Sequence, residues 1–307
     1  MNKEKFYMTK ISNNYHHVKH YKVQQKTKKT VYIILITTLA FALLELIGGI
    51  LSNSLALVGD SFHMFSDVLA LAGSAIAIFF SSKKPKGNFT FGYLRLEIIT
   101  AFVNGLALIV ISIYIVIEAI GRFVNPRDID LKSMIGIAVV GLIFNIVTTL
   151  ILHNNIKHEH NLNVQSALWH FIGDLLNSIG VIISGIIIYF TKLVIIDAIM
   201  SVIISVILFK GGYKITKKAF LILMDHSSLD VDKISKDILN IENVSNVHEF
   251  HIWHTNDEQT NAAMHIFLEN YDDNDYIVVE NIKQILREKY KINHTFIGIE
   301  NINYNKH

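Results

Sequence analysis

The chain has 307 residues, 51% of them hydrophobic and only 18% charged, with two prolines, no cysteine and a formal net charge of +2. A soluble domain of this length carries more charge and interrupts its apolar runs more often. The missing thiol excludes disulfides, thiolate metal sites and cysteine catalysis.

The first thirty residues hold eight lysines and one glutamate. This stretch is too long and polar for a cleavable signal peptide, and reads as a basic cytoplasmic tail (1–30) that lies on anionic lipid. Behind it come six segments long enough to cross a bilayer, which takes about 20 apolar residues. They fall near 31–52, 55–80, 96–120, 133–152, 164–190 and 193–210, and make a transmembrane domain over 31–213. Lysine and arginine gather on one side of it. Seventeen lie in the tail, the 81–95 and 153–163 loops and the exit of the last span, against four (Arg122, Arg127, Lys132, Lys192) in the opposite loops. The positive-inside rule therefore puts both termini in the cytoplasm.

The pattern changes after residue 220, where fifteen Asp/Glu face seven Lys/Arg. "SSLDVDKISKDILN" reads as a helix with an Asp/Ser-rich start. "SNVHEFHIWHT" and "QTNAAMHIFLE" alternate like strands joined by a turn. "DYIVVENIKQILREKY" is an amphipathic helix and "HTFIGIENI" a last strand. The order α-β-β-α-β over 220–307 suits a small cytoplasmic α+β domain with helices on one face of a sheet. The expected fold class is thus an α-helical membrane protein with six transmembrane helices plus this C-terminal domain.

The polar residues inside the spans carry the chemistry. In "DSFHMFSD", His63 and Asp67 are one helical turn apart on one face, and Asp60 lies on that face three residues earlier. "HFIGD" repeats the spacing with His170 and Asp174, and Ser166, Asn177 and Ser184 continue the stripe. One intramembrane histidine or acid is readily a packing residue or a helix–helix hydrogen bond. Four are harder to place that way, because each acid at the bilayer centre costs about 2.5 kcal/mol or more. Two imidazoles and two carboxylates facing one another match a divalent cation. Zn²⁺ takes four such ligands in a tetrahedron, and two carboxylates cancel its charge. These ligands also titrate, so loading releases protons and protonation releases metal. That is the chemistry of metal/proton exchange around a midplane site. Asp60 is the candidate to orient a ligating imidazole from behind. No Walker motif and no HExxH occurs, so neither ATP-driven transport nor a zincin hydrolase is indicated.

The paired "HMFSD" and "HFIGD" resemble the transport-site motifs of the cation diffusion facilitator family, of the zinc-efflux type. "ELIGGILSNSLALVGDSFHMFSD", "TFGYLRLE", "LILMD" and "VHEFHIW" resemble the family's first two spans, its third-span opening, its linker and its first cytoplasmic strand. The resemblance runs in order through nearly the whole chain. It implies a homodimer, Zn²⁺/H⁺ antiport out of the cytoplasm rather than enzymatic catalysis, and a ferredoxin-like regulatory domain. It also implies that a His/Asp quartet goes with zinc, with cadmium or cobalt tolerated, and that manganese and iron go with an all-Asp version. No nucleic-acid partner is implied.

Other histidines divide by position. His248 and His265 can meet across a strand pair. By the resemblance, they and Glu300 on the last strand form a regulatory metal site. The linker "LMDHSS" adds Asp225 and His226 as further candidate ligands, while His251 and His254 flank Trp253. His16, His17 and His20 in the tail, and His153, His158 and His160 in the fourth-to-fifth-span loop, are candidates for metal capture. Lys83, Lys84 and Lys86 replace the acids or histidines that some relatives use for another site. The Lys/Asn/Ile-rich composition points to a bacterial plasma membrane. Two other readings stay open: cadmium, cobalt, or less favourably manganese or iron as the main substrate, and a membrane metal sensor that binds without transporting.

Overall fold

The structure is a computed structural model. It describes residues 25–81, 87–90, 92–156, 162–255, 259–270 and 275–300, with side chains from residue 35 onward except at 71, 74, 75, 77, 78, 81, 149, 151–156 and 162–172. Six long helices come first: α1 (Gln25–Leu51), α2 (Leu55–Ser81), α3 (Leu96–Val124), α4 (Leu131–Ile156), α5 (Leu162–Thr191) and α6 (Ile195–Leu223). The shortest has 26 residues and the longest 30. At 1.5 Å per residue these are about 39–45 Å long, more than a hydrocarbon core of about 30 Å. Among the described residues, Leu96–Val124, Leu131–Thr148, Gly173–Thr191 and Ile195–Leu223 are long and apolar enough to cross a membrane. The apolar part of α1, Leu35–Leu51, is shorter, and α2 holds Asp60, His63 and Asp67.

The outer surface of the helices is apolar, unlike that of a soluble bundle. Val103, Val110, Ile117 and Val124, seven apart on α3, are all exposed. Beside an apolar core that includes Leu57, Ile115, Met134 and Ile204, the interior also holds small polar groups: Ser54, Ser61, Ser112, Ser178, Ser184, Ser201 and Ser205 are buried. Serine hydroxyls bonded back to their own helix, such as Ser205 Oγ to the Ser201 carbonyl at 2.7 Å, satisfy themselves without water.

Two features go beyond the sequence expectation. The sixth helix runs unbroken past the 193–210 span to Leu223 through "KGGYKITKKAF". The helix continues past the lysines, and its glycine pair does not break it because Gly212 lies against α3. A β-carbon on Gly212 would come 2.8 Å from the Gly105 carbonyl oxygen, and one on Gly105 would come 2.9 Å from that of Gly212. The second is a bulge in the first strand, described below.

After α6 come α7 (Val231–Leu239), β1 (Val244–His254), β2 (Thr260–Leu268), α8 (Asp275–Tyr290) and β3 (His294–Glu300). Asp230 caps α7, accepting from the Lys233 N–H at 3.1 Å. The sheet order is β1-β2-β3, antiparallel then parallel. Ala262, Met264, Ile266 and Leu268 alternate along β2 and share one core with Ile234 and Ile238 of α7 and Ile282 and Leu286 of α8. Both helices therefore cover one face of the sheet, and His265 looks out from the other. Asp237 of α7 takes hydrogen bonds from Lys289 Nζ and Tyr290 Oη of α8, which hold its carboxyl below the usual carboxylate range.

Candidate metal centres

The first centre lies between α2 and α5. His63, Asp67 and Asp174 each bring a ligand atom within 4.8 Å of the others. His63 Nε2 is 2.9 Å from Asp174 Oδ1, and the two side chains are 22% and 13% exposed. One turn away, Asn177 donates through Nδ2 to Asp60 Oδ1 at 2.7 Å, and Asp60 is buried. The two rungs, 63 to 174 and 60 to 177, set an antiparallel stagger, which puts residue 170 of α5 level with Asp67. His170 lies on α5, one turn before Asp174; its side chain is outside the described residues.

The helical spacing explains the arrangement. Residues 60, 63 and 67 share one face of α2, and 170, 174 and 177 share one face of α5. Asp60 accepts from Asn177 and Asp174 meets His63, so these polar groups satisfy one another across the two helices. The donor set is one imidazole nitrogen and two carboxylates in this cluster, with no sulfur. It suits a divalent ion of borderline hardness, and the His63–Asp174 contact must open to admit one.

The second centre is on the open face of the sheet. His248 and His265 are direct cross-strand partners with ring centroids 5.5 Å apart. Glu300, the last residue of β3, reaches both: Oε2 is 3.2 Å from His248 Nε2, and Oε1 contacts His265 Nδ1. The three ligand atoms lie within 4.8 Å of one another. The His248 ring stacks on Phe267 at 4.8 Å, which fixes its plane, and its Nδ1 is buried without a hydrogen-bond partner among the described residues. Two imidazoles and a carboxylate converging on one point fit a Zn²⁺-like ion by donor type and number, with a coordination position left over.

Asp225 and His226 do not join this cluster. Asp225 follows α6 in the left-handed region, φ 54°. Its N–H and that of His226 bond back to Ile222 and Leu221, a Schellman-type helix end. The turn aims its carboxylate at Arg95, 2.5 Å away at the start of α3. A cavity of about 410 Å³ opens beside this ion pair, lined by Phe89, Tyr93, Leu96 and Ile99 on one side and Trp253 and Thr255 on the other. His254 Nδ1 lies 3.1 Å from Thr260 Oγ1. The tail histidines His16, His17 and His20 and the loop residues His158 and His160 lie outside the described residues, as does the His153 side chain.

The bulge was not legible in the sequence. His248 pairs with His265, but His251 pairs with Ala263, so Glu249 and Phe250 on β1 oppose the single residue Met264 on β2, one residue more than the partner strand. Glu249 takes φ 48° to allow this. The shift puts His251 on the same face as His248 and turns Ile252 into the core.

Two family models match. One, described as the cation efflux transmembrane domain, covers residues 31–224. The other, the cation efflux protein cytoplasmic domain, covers residues 227–302. A zinc transporter ZitB of Pectobacterium atrosepticum is 37% identical over 92% of this chain and 88% of its own. A cadmium, cobalt and zinc/H(+)-K(+) antiporter of Bacillus subtilis is 36% identical over 85% of this chain and 83% of its own. The metal cation efflux system protein CzcD of Cupriavidus metallidurans is 32% identical over 89% and 86%. Motif order, helix count, the α-β-β-α-β domain and these matches agree, and the chain belongs to the cation efflux, or cation diffusion facilitator, family.

Proposed function

We propose that this protein exports divalent metal from the cytoplasm, with Zn²⁺ as its main substrate and protons as the counter-ion. The observation that carries this reading is the convergence of His63, Asp67 and Asp174 in mid-helix, where an uncompensated charge has no structural use. His170 completes the quartet from its place level with Asp67 on α5. Imidazolium and carboxylic acid groups of the empty site give up their protons as they take the ion from the cytoplasm, and the ion binds to neutral imidazole and ionised carboxylate. Protons arriving from the far side reverse the balance and release it. The six helices all span the membrane, over a domain that runs from residue 31 to 213. The names of the relatives, which include zinc transporters and a cadmium, cobalt and zinc antiporter, support this substrate class.

The cytoplasmic domain, residues 220–307, holds a second ion at His248, His265 and Glu300 that reports cytosolic metal and biases the membrane domain. It also joins two copies into a homodimer, in line with the family model it matches. Both termini are cytoplasmic, in a bacterial plasma membrane.

The test is zinc flux in proteoliposomes under an imposed pH gradient, comparing wild type with Asp174→Ala. Wild type should move zinc against a proton counterflow, and the variant should be inactive while eluting as folded protein. Wild type that binds zinc but moves none under any gradient would sink the transporter reading and favour a sensor. Replacing zinc with cadmium or cobalt in the same vesicles ranks the metals.

A further inference from the structure

The buried carboxylate of Asp197, in the first turn of α6, is part of neither centre. It is 1% exposed and gathers an unusual set of donors from the start of α2. Ser54 Oγ donates to Oδ1 at 2.6 Å, the Leu55 N–H to Oδ2 at 2.7 Å and the Ala56 N–H to Oδ1 at 3.4 Å. The Leu57 N–H turns to Ser54 Oγ at 3.2 Å. The first turn of a helix leaves its N–H groups without partners inside the helix. Here Ser54 caps one of them, and a carboxylate from another helix takes two more and the serine hydroxyl. The negative charge also lies at the positive end of the α2 dipole. Arg122 of α3 closes the knot, with Nη1 3.5 Å from Asp197 Oδ2 and 2.5 Å from the Asn53 carbonyl oxygen.

The knot matters because of what α2 carries. His63 and Asp67 lie eight and twelve residues beyond Leu55, about 12 and 18 Å along the helix axis. α6 and α3 are locked together by the Gly105–Gly212 approach. Asp197 therefore fixes the axial position of α2 against a stiff pair, whereas Asp174 arrives on a different helix, α5. The separation between the α2 ligands and Asp174 depends on where that first turn is held.

We propose that Asp197 is a positioning residue of the transport centre: by capping α2 from α6, it sets the depth of His63 and Asp67 relative to Asp174, and so the affinity and size preference of the site. This rests on the transport reading given above. A slip of α2 along its axis changes every ligand-to-ligand distance across the α2–α5 gap at once. It penalises the smaller ion, Zn²⁺, more than the larger Cd²⁺.

The experiment is proteoliposome flux of Zn²⁺ and Cd²⁺ with Asp197→Asn, which keeps the volume but puts an NH₂ against backbone donors. The expected result is a KM for zinc raised about tenfold, as for other groups that hold metal ligands in place, with the Zn²⁺/Cd²⁺ preference reduced and the maximal rate per folded protein much less changed. A residue that only stabilises the fold would lower the number of active molecules and leave KM and the metal preference alone; that result overturns the proposal. If Asp197→Asn does not yield folded protein, Ser54→Ala decides. It deletes one donor and keeps the carboxylate, so a smaller KM shift in the same direction is expected and an unchanged KM overturns the proposal. Asp174→Ala in the same assay separates the two ideas. If Asp174→Ala retains saturable zinc flux, the transport-centre reading fails; if it is inactive and Asp197→Asn alters only the maximal rate, the positioning role alone fails.

Discussion

A methyl group on Gly212 tests how α3 and α6 hold each other. Its β-carbon would come 2.8 Å from the Gly105 carbonyl oxygen, 2.9 Å from Leu108 Cβ and 3.2 Å from the Ile109 nitrogen. Two of these atoms are backbone and cannot swing aside. Ordinary contact begins near 3.5 Å, so the helices must part by about 0.7 Å or tilt. Overpacking of this kind costs about 1–3 kcal/mol, and alanine's better helix propensity returns about 1 kcal/mol of that. The adjacent Gly211 has nothing within 4 Å of its would-be β-carbon, so Gly211→Ala should be neutral or stabilising by about 0.4–1 kcal/mol. Thermal unfolding of the two variants in one detergent, at one scan rate, compares them directly. Gly212→Ala should melt a few degrees below Gly211→Ala. If it melts at the same temperature or higher, α3 and α6 are not packed through these glycines, and the stiff pair on which α2 hangs does not exist.

Further outcomes are expected. Asp67→Ala should weaken zinc transport as severely as Asp174→Ala, since both supply charge to one ion; a variant with near wild-type flux would remove Asp67 from the ligand set. His265→Ala should lower the zinc bound per chain, measured by equilibrium dialysis, and blunt the dependence of flux on cytosolic zinc; unchanged zinc binding would remove His265 from the cluster. Lowering the pH should remove the Asp237 contribution to the cytoplasmic domain. Its folded pKa is depressed, so the contribution is complete above the unfolded value of about 4 and fades as pH falls through the folded one. The melting difference between wild type and Asp237→Asn should shrink over that acid range, and a constant difference would refute the assignment. Leu286→Ala, at a fully buried core position, should cost about 2–5 kcal/mol and abolish the cytoplasmic domain's cooperative melt near physiological temperature.

The i, i+4 pairs were readable because a helix has one period and a bilayer tolerates few charges. Two HxxxD-spaced sets in apolar runs leave little freedom in where their side chains meet, and the His63–Asp174 contact follows from that spacing. Element order in the last domain was legible for the same reason, since alternation at 260–268 and an amphipathic period at 275–290 are strong local signals. What the chain concealed depends on tertiary partners. The β1 bulge is invisible because a strand's period does not announce one extra residue. Asp197 reads as one more polar group at a helix start until Ser54 and Leu55, more than 140 positions earlier, are found against it. The end of α6 is not legible from the apolar run, because lysines mark where that run stops, which is not where the helix does.

The sheet order has a consequence for timing. One residue of the cytoplasmic cluster comes from each strand, and the last, Glu300, ends β3. An ion there is a stitch across the full width of the sheet, from one edge strand to the other. Any fluctuation that peels β3 away must unload the ion, and unloading removes one of the ties that hold β3 to the sheet. Amide exchange along 294–300 and the lifetime of the bound ion would then share one clock, and the slowest ion to leave would also make the quietest strand.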